Sequence, residues 1–241
     1  MTLAEREELM AAFEDASAGA WPEYNRHGDV LNRYWAGLFD QFADFQFCLL
    51  DRADEVMGVG HSIPLRWDRT VRGLPAGIDA AIVAGSEAPP AGRPANTLCA
   101  MAAIVSPDLQ GGGLSTRVVQ AMAQLASQRG LRSLIAPVRP SLKHLYPLAQ
   151  IDRYAAWTRQ DGFPFDPWLR VHARLNGRTL KPAPRSLRIT GTVAEWEGWT
   201  GMAFPETGRY VFPQGLAPLA VNHERDRCRY FEPNVWVLHR V

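Results

Sequence analysis

The sequence predicts an α/β protein in which a mixed β-sheet is flanked by helices, and three features predict it. Two continuous apolar runs, Thr97–Ser106 and Leu131–Val138, are typical of strands that are buried on both faces. Between them, Thr116–Arg129 places apolar residues every third or fourth position, as an amphipathic helix does. Strands that alternate with helices in this way are characteristic of α/β domains.

The segment before these runs predicts two helices and a hairpin. Thr2–Ala18 and Asp29–Phe45 both have apolar residues at helical spacing. Phe45–Asp51 and Glu55–Leu65 are short apolar stretches with a polar turn between them. Two strands joined by so short a turn are expected to pair as an antiparallel hairpin.

The segment Arg66–Asn96 differs in composition from the rest of the chain. It contains four prolines and four glycines around a predicted short helix at Ala76–Gly85. Long loop-rich excursions of this kind often border a binding cleft.

The C-terminal part of the chain predicts further strands after an irregular, proline-containing stretch. The expected strands are Trp168–Leu175, Ser186–Trp196, Arg209–Phe212 and Asn234–Val241. We therefore predict one domain over residues 1–241, with a core at about residues 30–180 and a β-rich C-terminal extension at 181–241.

Composition and charge exclude several function classes. The formal net charge is +1, from 26 basic and 25 acidic residues, so no global field favours nucleic acid or an anionic membrane. No segment approaches the roughly 20 apolar residues of a membrane span, and the N-terminal segment has no signal-peptide pattern. The three widely spaced cysteines predict reduced thiols. We expect a cytoplasmic protein.

The stretch with the clearest functional pattern is the turn Gln110–Ser115, which joins a predicted strand to a predicted helix. Three consecutive glycines allow backbone amides to point inward without interference from side chains. Amides at a helix N-terminus, together with the helix dipole, form a site for a phosphate-bearing ligand.

Two common phosphate-binding motifs fit this turn poorly. A Walker turn requires a lysine directly after its last glycine, and Leu114 stands there. A dinucleotide-binding unit requires an acidic residue on the following strand, and Leu131–Val138 has none. Nucleotide binding is therefore the weakest of the hypotheses that we consider.

The turn resembles the signature of the GNAT acyltransferase superfamily, which is Gln/Arg-x-x-Gly-x-Gly/Ala at a strand–turn–helix junction. Here it reads Gln110-Gly111-Gly112-Gly113-Leu114-Ser115, with serine in the last position. The preceding Val105-Ser106-Pro107 is similar to the V-x-P with which the family enters this turn. The resemblance covers Phe45–Tyr146, apart from the Arg66–Asn96 insertion.

The resemblance implies a partly splayed sheet, with acetyl-CoA as the co-substrate and no metal. The pantetheine arm would lie along Ala103, Ile104 and Val105 in the gap between two strands. Gln110 would close the turn. The backbone amides implied to bind the pyrophosphate are those of Gly111, Gly112, Gly113, Leu114 and Ser115.

Two residues are the predicted catalytic groups. Tyr146 follows Arg139 by seven residues, the spacing at which the family places the tyrosine that protonates the leaving thiolate. His61 is the candidate base, with Asp79, Glu87 or a relayed water as alternatives. The six histidines show no metal-ligand spacing, so no metal site is expected.

The function implied is acyl-CoA-dependent N-acyl transfer, in which a primary amine of a small molecule or a protein directly attacks acetyl-CoA and takes its acetyl group. The alternative is a GNAT-like module that binds acyl-CoA without turnover and acts as a sensor or scaffold. The loop carboxylates Asp161 and Asp166 are weak candidates for attracting a cationic acceptor. A homodimer is left open.

Overall fold

The computed structural model describes residues 1–17, 19–87, 93–105, 109 and 112–241, and it confirms the α/β prediction. Its sheet has the strand order β1-β2-β3-β4-β8-β7-β6, with β5 paired to β8. The strands are β1 (Gln46–Leu50), β2 (Val56–Leu65), β3 (Thr97–Val105), β4 (Ser133–Val138), β5 (Arg178–Gly191), β6 (Gly208–Tyr210), β7 (Leu219–Asn222) and β8 (Arg227–Arg240).

Helices pack on both faces of this sheet. They are α1 (Met10–Ser17), α2 (Leu31–Trp35), α3 (Gly37–Gln41), α4 (Ile78–Ser86), α5 (Leu114–Gln128), α6 (Ile151–Ala155), α7 (Pro167–Arg174) and α8 (Val193–Thr200). Among the described helices, none combines the length and the hydropathy that a membrane-spanning helix requires.

The predicted hairpin is confirmed as β1 and β2, which pair antiparallel. Its turn is held by the side chain of Asp51, whose Oδ1 accepts hydrogen bonds from the backbone amides of Ala53 (2.8 Å) and Glu55 (3.0 Å). The polar residues that marked the turn in the sequence therefore satisfy its backbone.

The sheet splits between β3 and β4. These parallel strands pair only at Leu98↔Leu134 and Cys99↔Ile135 within the described residues. On its other side β4 stays paired with β8 as far as Val138. Strand β3 also contains a bulge, because its register with β2 skips Met101. Bulges bend a strand and increase its twist, so β3 diverges and a gap opens toward its C-terminal end.

The two faces of the sheet have separate apolar cores. On one face, Val118 and Met122 of α5 pack with Leu134 of β4. On the opposite face, the buried indoles of Trp196 and Trp236 pack in a larger cluster with α4 and α8. Helix α7 contacts α5 and lies on the face where Leu169 joins Ala136 and Val237 in a third cluster.

The strand predicted at Trp168–Leu175 is wrong, because Trp168 to Arg174 belong to helix α7 and Leu175 is its C-cap residue. The side chain of Asp166 caps this helix by accepting hydrogen bonds from the amides of Trp168 and Leu169, and Pro167 occupies the first turn. Asp followed by Pro is a helix-start signal that outweighs the short apolar alternation after it.

A second predicted strand is partly wrong. Strand β5 ends at Gly191, whereas the prediction extended it from Ser186 to Trp196. Thr192 and Glu195 form a capping box that begins helix α8, so Trp196 is helical.

The C-terminal strand β8 lies inside the sheet, with β4 on one side and β5 and β7 on the other. The division into a core and a C-terminal extension stays a prediction. The pairing shows that β8, near the chain end, holds β4 in the sheet, and β4 forms one wall of the split.

Candidate functional site

The gap between β3 and β4 is occupied by a cavity of about 920 Å³. Small residues of β3 form one wall, including Ala100 and Ala103, and Ala136 and Val138 of β4 form the other. The remaining lining comes from both faces of the sheet, with Met122 of α5 on one and α2, α3 and Ile78 of α4 on the other. The cavity therefore passes through the sheet at the split.

A smaller cavity of about 410 Å³ lies beside the N-terminus of α5. Its lining includes Leu114 and Ser115 of α5 and Val105 at the end of β3. The two cavities share the lining residues Trp21, Ala103, Arg139 and Trp168. A ligand of extended shape can therefore span the distance from the helix N-terminus to the split in the sheet.

The N-terminus of α5 presents amides that have no partner among the described residues. Gly113 is the N-cap residue, with φ of 77° and no side chain to cap the helix. Its carbonyl accepts from the amides of Thr116 (3.1 Å) and Arg117 (3.3 Å). The amides of Leu114 and Ser115 precede these and have no acceptor inside the helix. The first turn carries no acidic residue, so a diphosphate group meets no repulsion from this turn.

These features fit the acyl-CoA that the resemblance implies. The helix N-terminus suits the diphosphate, and the adjoining gap is lined by apolar and small residues that suit a narrow pantetheine arm. Among the described residues, no carboxylate lines the smaller cavity. Ala103, Ile104, Val105, Leu114 and Ser115 all line one cavity or the other. Gly112 and Gly113 lead directly into α5, whereas Gln110 and Gly111, like Ser106 and Pro107, lie outside the described residues.

Part of the lining of the larger cavity is polar. Glu23, Asn25, Asn32, Glu232 and Asn234 contribute to its lining. Asn25 Oδ1 is buried without a hydrogen-bond partner among the described residues.

Arg139 belongs to this polar part of the lining and also lines the smaller cavity. Its Nε donates to Glu232 Oε1 at 3.0 Å, and its Nη2 donates to the Tyr24 hydroxyl and to the Gln214 carbonyl, both at 3.1 Å. Burial is the largest single influence and opposes the charged guanidinium, but the charge and hydrogen bond of Glu232 together with Tyr24 and Tyr230 outweigh it and hold the pKa of Arg139 above its ordinary value. Arg139 therefore remains a fixed cation between the two cavities.

Comparison with known proteins identifies the family. No family model matches the chain. The loading GNATL domain of CurA from Lyngbya majuscula has a similar structure, with a TM-score of 0.62 and 17% identity, covering 97% of this chain and 93% of that domain. The GphF GNAT-like decarboxylase, solved with isobutyryl-CoA, has a TM-score of 0.60 and 15% identity, covering 98% and 96% of the two chains. These likenesses show the fold.

A sequence relative is more informative. Arginine N-acetyltransferase avaD of Aspergillus versicolor is 30% identical over 256 aligned residues, which cover 95% of this chain and 88% of the relative. The chain belongs to the GNAT superfamily. It is an acyl-CoA-dependent N-acyltransferase, as the turn at the start of α5 predicts.

The predicted catalytic residues of this GNAT protein do not line either cavity. Tyr146 is 38% exposed, and its ring packs against Trp157 and Phe165 at centroid distances of 5.1 and 5.8 Å. It belongs to an aromatic cluster beside α6 rather than to the wall of the split. Its role as proton donor stays a prediction.

His61 lies in the core beneath the sheet. It is 1% exposed and is surrounded by the rings of Phe13, Trp35 and Phe39. Burial lowers its pKa to about 4. Its Nδ1 is 3.3 Å from Gln46 Oε1. This environment suits a neutral core histidine, and its assignment as base stays a prediction.

The alternative carboxylates also have structural partners or positions away from the cavity. Asp79 accepts hydrogen bonds from the amides of Leu31 (3.3 Å) and Arg188 (2.9 Å) and so joins α4 to α2 and β5. Burial raises its pKa. Glu87 follows the end of α4 and is exposed.

Sequence reasoning missed Trp168 and His172, which line the larger cavity from helix α7. Both were assigned to a strand, and in a strand two residues four positions apart are too far from each other to be in contact. The Asp166-Pro167 helix start was the signal that would have placed them at positions i and i+4 of one helix face. In the structure their rings are 4.6 Å apart, edge to face.

Groups of His, Cys, Asp and Glu that could hold a metal ion are absent from the described part of the chain.

Proposed function

We propose that this acyltransferase transfers an acetyl group from acetyl-CoA to an amine of a small cationic amino acid of the arginine type. The observation that carries the proposal is the split between β3 and β4 beside the uncapped N-terminus of α5. The proposed binding residues are those of the turn and of β3, namely Ala103, Ile104, Val105, Gln110, Gly111, Gly112, Gly113, Leu114 and Ser115.

Acetyl-CoA supplies the activated thioester when bound. The amides of Leu114 and Ser115 bind its diphosphate, and the split holds its arm between β3 and β4. Backbone amides of β3 that face the split donate hydrogen bonds to the thioester carbonyl as negative charge develops on its oxygen. A preorganised donor in this position contributes roughly 3–4 kcal/mol. Trp168 and Met122 exclude water from the same region.

The acceptor class is supported by two observations. The sequence relative is named for transfer to arginine. The polar part of the larger cavity's lining includes the carboxylates of Glu23 and Glu232 and the side-chain amides of Asn25 and Asn234. Carboxylates bind guanidinium and ammonium groups by charge-assisted hydrogen bonds. The fixed cation of Arg139, which also lines this cavity, suits the acceptor's own carboxylate.

The buried cysteines support a cytoplasmic location, which is part of the proposal. Cys48, Cys99 and Cys228 are free thiols in the described structure. Reduced, buried cysteines are the usual state in a reducing compartment.

Two measurements test this function. Calorimetry with acetyl-CoA, ATP and NAD establishes the co-substrate, and a free-thiol assay with arginine, agmatine, Nα-blocked arginine and glutamate establishes the acceptor. We expect binding of acetyl-CoA alone among the three, and thiol release that is fastest with arginine. The agmatine and Nα-blocked arms show whether the carboxylate and the α-amine are required.

The outcomes separate the hypotheses. ATP binding without a response to acetyl-CoA would reject the function and restore the nucleotide hypothesis. Acetyl-CoA binding without thiol release from any amine would favour the non-catalytic module. Equal rates with glutamate and arginine would reject the cationic acceptor but leave acetyl transfer standing.

A further inference from the structure

Two buried histidines share a hydrogen bond at the wall of the larger cavity. His172 is on α7 and His239 is on β8, and they are 3% and 5% exposed. His172 Nδ1 lies 2.8 Å from His239 Nε2. His172 Nε2 is buried and has no partner among the described residues, although His172 lines the cavity. A buried polar atom without a partner is uncommon and calls for an explanation, such as an ordered water or a functional role. His61 Nε2 is also without a partner among the described residues, but His61 lines neither cavity.

Both rings are neutral near pH 7. Burial, together with the proximity of His239, lowers the pKa of His172 to about 3. Burial also lowers the pKa of His239, against a smaller opposing effect from a hydrogen bond to the Leu175 backbone. A neutral histidine has one N–H donor and one acceptor nitrogen, so the pair shares a single proton in the 2.8 Å contact.

The 2.8 Å contact needs one ring to donate and the other to accept. In the tautomer that leaves His172 able to accept a further proton, Nδ1 of His172 donates to Nε2 of His239. The remaining nitrogen of His172, Nε2, then carries a lone pair.

We propose that His172 is the proton-transfer residue of this acyltransferase and that His239 is its positioning residue. The inference rests on the proposed function. As the amine attacks, an N–C bond forms and the C–S bond breaks. The amine reacts in its neutral form, after the extra proton of the ammonium has gone to solvent. It then loses one proton to Nε2 of His172, and Nε2 delivers that proton to the departing sulfur to give the CoA thiol. His172 returns to its neutral state, so protons and charges balance.

The environment of His172 suits this cycle. Its lowered pKa keeps Nε2 unprotonated at neutral pH in the empty cavity, and a nitrogen this weakly basic accepts the amine proton only once the bound reactants raise its pKa. Protonation of His172 is costly in the empty cavity, because burial disfavours the imidazolium. The cost of protonating His172 falls when negative charge develops on the thioester oxygen and sulfur. Throughout, His239 Nε2 continues to accept a hydrogen bond from Nδ1 of His172. His172 is therefore protonated only between the attack of the amine and the departure of the thiol.

The test compares three histidine variants by kcat, by acetyl-CoA affinity from calorimetry and by thermal unfolding. His172→Ala is expected to lower kcat with arginine by about 10²–10⁴-fold, with the Kd for acetyl-CoA changed less than about threefold. Added imidazole is expected to restore part of this rate in H172A and to leave the wild-type rate unchanged. His239→Ala is expected to lower kcat less than H172A, because it removes only the group that orients His172.

His144→Gln is the matched control, since His144 is only partly buried and lines neither cavity. Its kcat is expected to equal that of the wild type. If H172A fails to bind acetyl-CoA, H172Q decides, because glutamine can keep a hydrogen bond to His239 but cannot accept and return a proton. A kcat within threefold of the wild type in H172A, or in H172Q where it replaces H172A, overturns the proposal.

Failure of the proposed function gives a different result. The wild type would then bind acetyl-CoA and release no thiol with any amine, and the role of His172 would be rejected together with the reaction. An active wild type with an active, imidazole-insensitive H172A would reject only the role of His172.

Discussion

At the residue scale, two neighbouring glycines in the turn before α5 have different physical roles. Gly113 has φ of 77°, a conformation that L side chains rarely adopt. Gly112 is not restricted in this way, because among the described residues the nearest atom to a Cβ placed on it would be the Leu109 carbonyl oxygen at 3.8 Å. A side chain at Gly112 is therefore tolerated by the fold and would project near the amides that begin α5.

Replacing Gly112 with glutamate is expected to weaken acetyl-CoA binding by about 100-fold or more. A carboxylate at this position repels the diphosphate and competes for the same amides, and a like-charge contact of this kind costs several kcal/mol. Calorimetry with acetyl-CoA measures the loss. Gly112→Ala is the control and is expected to bind within about threefold of the wild type, since the added methyl group fits. Retained affinity in Gly112→Glu would show that the diphosphate binds elsewhere.

Also at the residue scale, His61 and His172 show that residue type alone does not identify a functional group. Both are buried, and burial lowers the pKa of both. His61 is enclosed by aromatic rings, whereas His172 lines the cavity and contacts a second histidine. The two histidines differ in their surroundings, and those surroundings are set by contacts between segments that are distant in the sequence.

At the element scale, helix α7 is held in position by one buried carboxylate. Asp166 accepts hydrogen bonds from the amides of Trp168 (2.9 Å) and Leu169 (3.2 Å), and also from Leu142 N (2.9 Å) and the Tyr154 hydroxyl (2.8 Å). It is 1% exposed. The expectation that Asp166 lies in an exposed loop is wrong, and the carboxylate is already fully used in joining α7 to α6 and to the segment after β4.

Asp166→Ala is therefore expected to lower the free energy of unfolding by about 2–4 kcal/mol, because it removes a helix cap and leaves buried donors unpaired. Urea denaturation at pH 7 measures the change. Thr192→Ala, at the more exposed capping box of α8, is the control and is expected to cost about 1 kcal/mol. Equal losses in the two variants would contradict the stabilising role of the additional contacts of Asp166.

At the same scale, the sequence pattern predicts the two strands beside the split but not their separation. The apolar runs predicted β3 and β4 closely, since each run is buried on both faces. Their separation after two residue pairs depends on the bulge at Met101 and on the pairing of β4 with β8. Neither feature has a local sequence signal, and only the resemblance to the GNAT superfamily led us to expect a splayed sheet.

At the scale of the whole molecule, buried histidines make stability depend on pH. The pKa values of His61 and His172 are lowered to about 4 and about 3, from 6.5 in the unfolded chain. The unfolded chain therefore binds protons that the folded protein excludes. Stability from these groups is complete above pH 6.5 and is lost as the pH falls from 6.5 toward 4.

We expect each of these histidines to reduce the free energy of unfolding by about 1.4 kcal/mol per pH unit in this range. Urea denaturation at pH 7.5, 5.5 and 4.5 measures the slope. His61→Leu is expected to remove the contribution of one histidine from the pH dependence of the free energy of unfolding, since a leucine side chain cannot bind a proton. A free energy of unfolding that does not change between pH 6.5 and 4.5 would contradict the neutral state of both rings.

The sequence alone determined the features whose causes are local. The glycine turn, the apolar strands and the polar hairpin turn each depend on residues that are close together in the chain, so their patterns predicted the fold class and the acyl-CoA site. Tertiary structure decided which side chains meet at the split. Arg139 and Glu232 are 93 positions apart, and His172 and His239 are 67 positions apart. Such pairs form because β8 lies beside β4 and β5 in the folded sheet, and hydrogen bonds between distant segments leave no periodicity in the sequence.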